Sequence, residues 1–364
     1  MNCVICKSII DDKNISKEHI IPNCLGGKLK SSEILCSDCN SKLGSSIDSA
    51  LSNNFNKYMT LFGFKRERGS NQKVELNSMD CNEKYYLYDD HLEMSKPEVS
   101  IDKCKNSIKY KIKGRSKKET CDILKGIYKK YGDKGNNSEI DEVMDKLEIR
   151  SENLNKRVSI GLDFGGHDFY RAIGKIALCF YALYFDDYEN LDDLVNYVNK
   201  KILPKTNIVT MYYAQTNKKN WDNNSIYHYI GIKNIAGWVI GYIELFSTFK
   251  FIIKIKKNND DTVKIRKDYY EWLTEIKDIE GDIFPNISDI DAAFSNEVFD
   301  YLDEFKTELN GLMRKAYKAL KRRELNQKIK RTIYKVKEKN KDEKYFTEEI
   351  IREIINEIVK NLNK

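Results

Sequence analysis

Two short cysteine pairs, Cys3-x2-Cys6 and Cys36-x2-Cys39, constrain this chain more than anything else in its 364 residues. Cysteines two residues apart put both sulfurs on one side of a tight knuckle. Two knuckles then supply four thiolates, the donor set of a structural zinc site. The stretch from residue 3 to residue 48 is too short to bury a core of its own. Ligation would staple a small hairpin to a short helix and supply much of the local folding energy. Cys24 lies inside this stretch but outside both pairs, and reads as packing.

Between the pairs, Glu18-His19 precedes Ile20-Ile21-Pro22, Gly26-Gly27 permits a tight turn, and Asn40 follows the last cysteine directly. C-x2-C, E-H-I-I-P, L-G-G, L-C-x2-C-N and a trailing G-x3-D together resemble the HNH endonuclease family, in the variety that carries zinc knuckles. The resemblance covers residues 3–48 and is specific there, because order, spacing and residue type agree. It implies a β-hairpin followed by a helix, clasping one divalent catalytic metal. His19 matches the general base that activates a water. Asn40 matches the last letter of the motif, where His or Asn binds the metal. Glu18 matches an acidic position, usually Asp, that helps hold it. The central Asn of the family falls near Ser31 or Ser32, so the chain departs from the pattern there. That Asn pins the loop orienting the histidine, a task left here to Asn23 or a serine.

The residues agree with that chemistry. Cutting a phosphodiester needs an activated water, a cation against the developing charge and a stabilised leaving oxygen. A histidine accepts a proton near neutral pH. Oxygen donors such as Glu18 and Asn40 suit Mg2+ or Mn2+ rather than zinc. Two metals with separate tasks are therefore expected, a structural Zn2+ on thiolates and a catalytic cation on oxygens. Neighbours on a regular strand point to opposite faces, so Glu18 and His19 converge only where the strand ends or twists. Asp48 reads as a solvated or hairpin-bonding carboxylate.

Charged residues make up 33% and hydrophobic residues 41%, the profile of a globular chain with a polar lean. The net charge of +7 permits a nucleic-acid partner without requiring one. No apolar run is long enough to cross a membrane. Met1-Asn2-Cys3 runs straight into the first pair with no signal segment, and the nine cysteines are odd in number. Both features suit a reducing cytoplasm, with Cys81, Cys104, Cys121 and Cys179 as free thiols.

After the module, residues 56–113 read as short strands. Lys65 to Arg68 form a charged turn, and Lys109, Lys111 and Lys113 alternate with Ile108, Tyr110 and Ile112, a solvated face against an apolar one. Ser116-x2-Glu119 fits a capping box opening a helix to about Lys130, broken by the Asn-rich stretch 132–138. A strand at 158–162 leads through Gly165-Gly166 into a helix from Asp168 to about Phe185, whose apolar stripe reads as core. Near it, Asp163, His167, Asp168, Arg171 and Lys175 resemble a second site, but are better explained as helix capping and exposed charges. Ile208–Tyr213, Ile226–Ile232, Trp238–Leu245 and Lys250–Ile255 form a β-meander, with His228 a satisfied core histidine. Residues 288–340 are helical and basic after Leu312, reading equally as a DNA-tracking helix or a solvated face. The helix from Thr347 carries an isoleucine stripe that must pack on the body or on a second copy.

The expected fold class is α+β. A zinc-stapled ββα-metal module spans 1–56, a mixed α/β body with an antiparallel meander 57–286, and a helical basic region 287–364. The expected function is metal-dependent hydrolysis of double-stranded DNA. The alternatives are a zinc module that binds nucleic acid without cutting, and a defence-type effector whose C-terminal region senses a ligand and gates the nuclease.

Overall fold

A computed structural model describes residues 1–362 except 65, 89–90, 105–106, 132–136, 148–155, 162–163, 186, 200–206, 214–224, 259–264, 274–281, 296–300, 342 and 344. Lys65, most of the Asn-rich break, Leu162 and Asp163 therefore lie outside the described residues. The chain is α+β and gathers into two compact units. One comprises residues 1–55, 62–69 and 165–364, and the other 56–61 and 70–164. This division is discontinuous in sequence.

The larger unit opens with the cysteine module. β1 (Glu18–His19) pairs antiparallel with β2 (Lys30–Ser31), Glu18 facing Ser31 and His19 facing Lys30. The loop between them turns at Gly26, which has φ +85°. Gly27 lies so close to Ile21 that a Cβ there would sit 2.0 Å from the Ile21 carbonyl oxygen, so this position requires glycine. α1 (Ser37–Leu43) follows, then one widened turn over Gly44–Asp48, then α2 (Ser49–Phe62). Ser45 and Ser46 donate to the Lys42 carbonyl and Ser49 to the Gly44 carbonyl, supplying bonds that the widened turn would otherwise lack. Ile47, Leu51 and Phe55 are fully buried, as their shared helix face requires. Phe55 packs against Phe169, Phe246 and Phe249.

The smaller unit holds β3 (Val74–Ser78), β4 (Lys84–Leu87), β5 (Leu92–Met94), the hairpin β6 (Glu98–Cys104) and β7 (Ser107–Lys113), α3 (Lys117–Tyr131), α4 (Asn137–Asp145) and β8 (Val158–Ser159). Its sheet runs β5-β4-β3-β8 over a small core of Val74, Leu76 and Tyr85. The Glu119 N–H is capped by Ser116, as the capping box predicts, while the Glu119 carboxylate turns back to the Arg115 N–H.

The chain returns to the larger unit through Gly165 and Gly166, both at positive φ, into α5 (His167–Tyr184) and α6 (Asp192–Asn199). A five-stranded antiparallel sheet follows, built from β9 (Val209–Met211), β10 (Tyr227–Ile235), β11 (Trp238–Leu245), β12 (Phe249–Lys257) and β13 (Arg266–Trp272) in the order β13-β10-β11-β12-β9. α5 crosses one face, close enough that a Cβ at Gly241 would touch Ala177. Tyr229 and Tyr242 pack with Phe284, Ile290 and Phe294 in another buried cluster. That cluster draws on α7 (Ile290–Ser295), which precedes the 38-residue α8 (Leu302–Lys339) and α9 (Glu348–Leu362). Ile350 is buried, whereas Ile351, Ile355 and Val359 are exposed, so α9 packs only part of its stripe.

Candidate active site

The knuckles form as the spacing requires. Lys7, directly after Cys6, takes φ +63° while its N–H bonds the Cys3 carbonyl, closing a tight turn around the first pair. The second pair lies at the start of α1, with Cys36 its first cap and Cys39 one turn in. The four sulfurs of Cys3, Cys6, Cys36 and Cys39 all lie within 4.8 Å of one another, and those of Cys6 and Cys36 are 3.7 Å apart. A tetrahedron with zinc–sulfur bonds of about 2.3 Å has edges of about 3.8 Å. The cluster therefore fits zinc in donor type and in size.

Beside it, Glu18, His19, Asn23, Cys24, Asn40 and Asp48 line one cavity of about 310 Å³. β1 ends at His19, so both neighbouring side chains reach this cavity while keeping separate partners. Asn40, at the middle of α1, donates from Nδ2 to Ser16 Oγ at 2.7 Å, which leaves its amide oxygen as the acceptor end.

Charge at the site is set by a residue far away in sequence. Lys175 of α5 is 1% exposed, and its ammonium lies 2.7 Å from Glu18 Oε1 and 2.5 Å from Asp48 Oδ2. Burial disfavours that ammonium, but Asp48 and then Glu18 more than offset the penalty, so Lys175 stays charged. Burial pushes the Glu18 carboxyl up to about 7 against the opposing pull of Lys175. The second oxygen of Asp48, Oδ1, is buried with no hydrogen-bond partner among the described residues. An orphaned carboxylate oxygen is costly unless something positive or hydrogen-bonding meets it. With the Asn40 amide oxygen and the Glu18 carboxylate on the same cavity, it makes an oxygen donor set that fits a hard divalent cation.

His19 is held from another direction. Its Nε2 lies 2.9 Å from Glu67 Oε2, and the Lys30 ammonium binds the other oxygen of the same carboxylate. Lys30, and then His19, hold the Glu67 carboxyl down at about 2. Asn23 pins the loop that carries Glu67. Its Oδ1 accepts from the Glu67 N–H at 2.8 Å, and its Nδ2 donates to the Arg68 carbonyl at 3.2 Å. Ser31 instead accepts from the Glu33 N–H inside its own turn.

The expected site residues Glu18, His19 and Asn40 thus share one cavity, and the four cysteines share one cluster. Two expectations need correction. Asp48 is neither solvated nor bonded to the hairpin, because the widened turn after α1 delivers it to Lys175. Arg171 and Lys175 are not exposed charges: both are buried, Arg171 on the carbonyls of Tyr197 and Val198. The signal for Lys175 was present, since it is the one charge in the otherwise apolar or small run from Ala172 to Tyr184. Glu67 carried no such signal. His228 is fully buried with both ring nitrogens engaged, as a core histidine should be.

A thiolate-stapled hairpin and helix with a histidine over an oxygen-lined cavity define a zinc-knuckle ββα module. Residues 3–56 match the family described as HNH endonuclease, a nuclease domain whose members act on nucleic acid with divalent metals. No curated protein and no solved structure matches the chain.

Proposed function

We propose that the protein is a metal-dependent endonuclease that hydrolyses phosphodiester bonds in double-stranded DNA. The observation that carries this reading is the shared cavity of His19, Asn40, Asp48 and Glu18 beside the thiolate cluster. Asn40 and Asp48, with Glu18, would hold Mg2+ or Mn2+, which when bound supplies Lewis-acid stabilisation of charge on the phosphate. Asp48 joins the donor set on the strength of its unpartnered buried oxygen. His19 takes the proton from the attacking water, and an imidazole suits that task near neutral pH. Lys175 fixes the Glu18 and Asp48 carboxylates so that their oxygens need not reorganise during the reaction. The four thiolates hold zinc and keep hairpin and helix in register.

The test is cleavage of plasmid and linear duplex by purified, zinc-loaded protein with Mg2+ or Mn2+. His19→Ala should cut at least about 100-fold more slowly, the range for loss of a general base, with its zinc content unchanged. Equal cutting by wild type and His19→Ala would end the assignment of His19. A second reading, a zinc module that binds nucleic acid without cutting, is favoured by one observation: Lys175 already places a positive charge on two of the candidate cation ligands. Salt-sensitive DNA binding unaffected by His19→Ala, with no nicking by either protein, would favour it.

A further inference from the structure

We propose that Glu67 is the positioning residue for His19, fixing the ring so that Nδ1 is the nitrogen that accepts the proton. This rests on the nuclease reading of the cavity. The geometry is specific. Glu67 Oε2 meets His19 Nε2 at 2.9 Å, and an ionised carboxylate only accepts hydrogen bonds. The ring nitrogen facing it must therefore carry the hydrogen, which leaves the lone pair of the neutral ring on Nδ1.

Three further contacts show that the carboxylate is placed rather than merely nearby. Lys30, the cross-strand partner of His19, holds the other Glu67 oxygen. Asn23 accepts from the backbone N–H of Glu67 and donates to the carbonyl of Arg68, fixing the loop on the module. Gly69 closes the loop at φ +77°, a conformation that side chains rarely adopt. The chain lacks the central Asn of its motif, and the Asn23–Glu67 pair does the orienting from a loop outside residues 3–56. Once the ring is protonated, the carboxylate also stabilises the imidazolium. Carboxylate partners that orient a ligating histidine affect function by about 10–100-fold, and a similar loss is expected here.

The experiment has two arms. In the first, long-range 1H–15N correlation spectra of the zinc-loaded protein, without DNA or catalytic cation, report the His19 tautomer at a pH where the spectra show the ring neutral. Wild type should show His19 with a protonated Nε2 and a pyridine-type Nδ1. Glu67→Ala should show an averaged pair, and Asn23→Ala a partial shift toward it. A wild-type His19 protonated on Nδ1, or averaged already, overturns the proposal without any variant. In the second arm, Glu67→Ala should lower kcat about 10–100-fold with KM nearly unchanged, and Glu67→Asp should recover part of the loss. Full activity in Glu67→Ala with the tautomer lost also overturns it. If the tautomer is as expected but wild type cuts nothing, the nuclease reading fails and the orientation of His19 stands.

Discussion

Replacing Lys175 by Met removes one positive charge from between two carboxylates at almost unchanged side-chain length. In the native protein that ammonium is 1% exposed and meets Glu18 and Asp48 together. Two routes remain for the variant. If both carboxylates stay ionised, breaking a buried ion pair from one side costs about 3–5 kcal/mol. If Glu18 protonates instead, its value of about 7 with Lys175 present sets a floor. At pH 8 the proton then costs at most about 1 kcal/mol, because that value lies one pH unit below and can only rise without Lys175. The stability loss at pH 8 should therefore be no more than about 5 kcal/mol, and smaller the more readily Glu18 takes up the proton. The direction with pH follows from linkage. A carboxyl whose folded value is raised binds more protons folded than unfolded, so its contribution falls as pH rises toward and past that value. The deficit of Lys175→Met should be smaller at pH 6 than at pH 8. A divalent cation should partly replace the ammonium: Mn2+ at 100 times its Kd would restore about 2.7 kcal/mol, more than it adds to wild type. Urea melts of zinc-loaded protein at the two pH values, with and without Mn2+, measure all of this. Adding Glu18→Gln to Lys175→Met should recover most of the loss. Equal stability of Lys175→Met and wild type at both pH values, or an identical Mn2+ effect in both, would refute the placement of this charge.

Two other outcomes are expected. Cys36→Ser should lower zinc content from about one ion per chain toward none and leave the hairpin amides unprotected in hydrogen exchange, because structural zinc contributes on the order of 10 kcal/mol to such modules; full zinc occupancy in the variant would contradict the thiolate site. Burial depresses His228 from 6.5 to about 4, so the unfolded chain binds its proton first as pH falls, and stability present above about 6.5 is lost down to about 4. The sum is roughly 3 kcal/mol, read as a shallower acid slope in urea melts of His228→Leu than in wild type.

How much of this was legible in the chain follows from how local each determinant is. The cysteine pairs and Asn40 are read from spacing because a knuckle or one helix turn fixes their geometry. The meander strands from Tyr227 to Lys257 are read from β-branched and aromatic density, and the structure keeps them nearly in place. β13 escaped because Arg266–Trp272 mixes charge and aromatic residues without an apolar face, and it completes the sheet by pairing with β10. Glu67 lies 48 residues from His19, and Lys175 lies 127 residues from Asp48. Such pairings are set by how the elements pack, and no spacing rule reaches them. The widened turn at Gly44–Asp48 was equally invisible, yet it decides where the Asp48 carboxylate goes.

These same long-range pairings determine what kind of site this is. A metal on the four thiolates would fix the relation of hairpin to helix, but it would supply neither the charge beneath the cavity nor the orientation of the imidazole. Those come from Lys175 on α5 and from Glu67 on the loop at 66–69. The glycine-rich turn is also secured from outside the module. The Leu25 carbonyl accepts from His228 on β10, and the Lys28 N–H and ammonium both meet Glu271 on β13. His228 in turn accepts the Phe246 N–H, in a turn where Phe246 takes φ +54°, a strained conformation for a bulky residue. A side chain is held in such a region only where its surroundings over-determine it. The sheet and α5 are therefore part of the cavity's construction. A module of some fifty residues can be matched as a unit, while the electrostatics of its cavity belong to the larger fold around it.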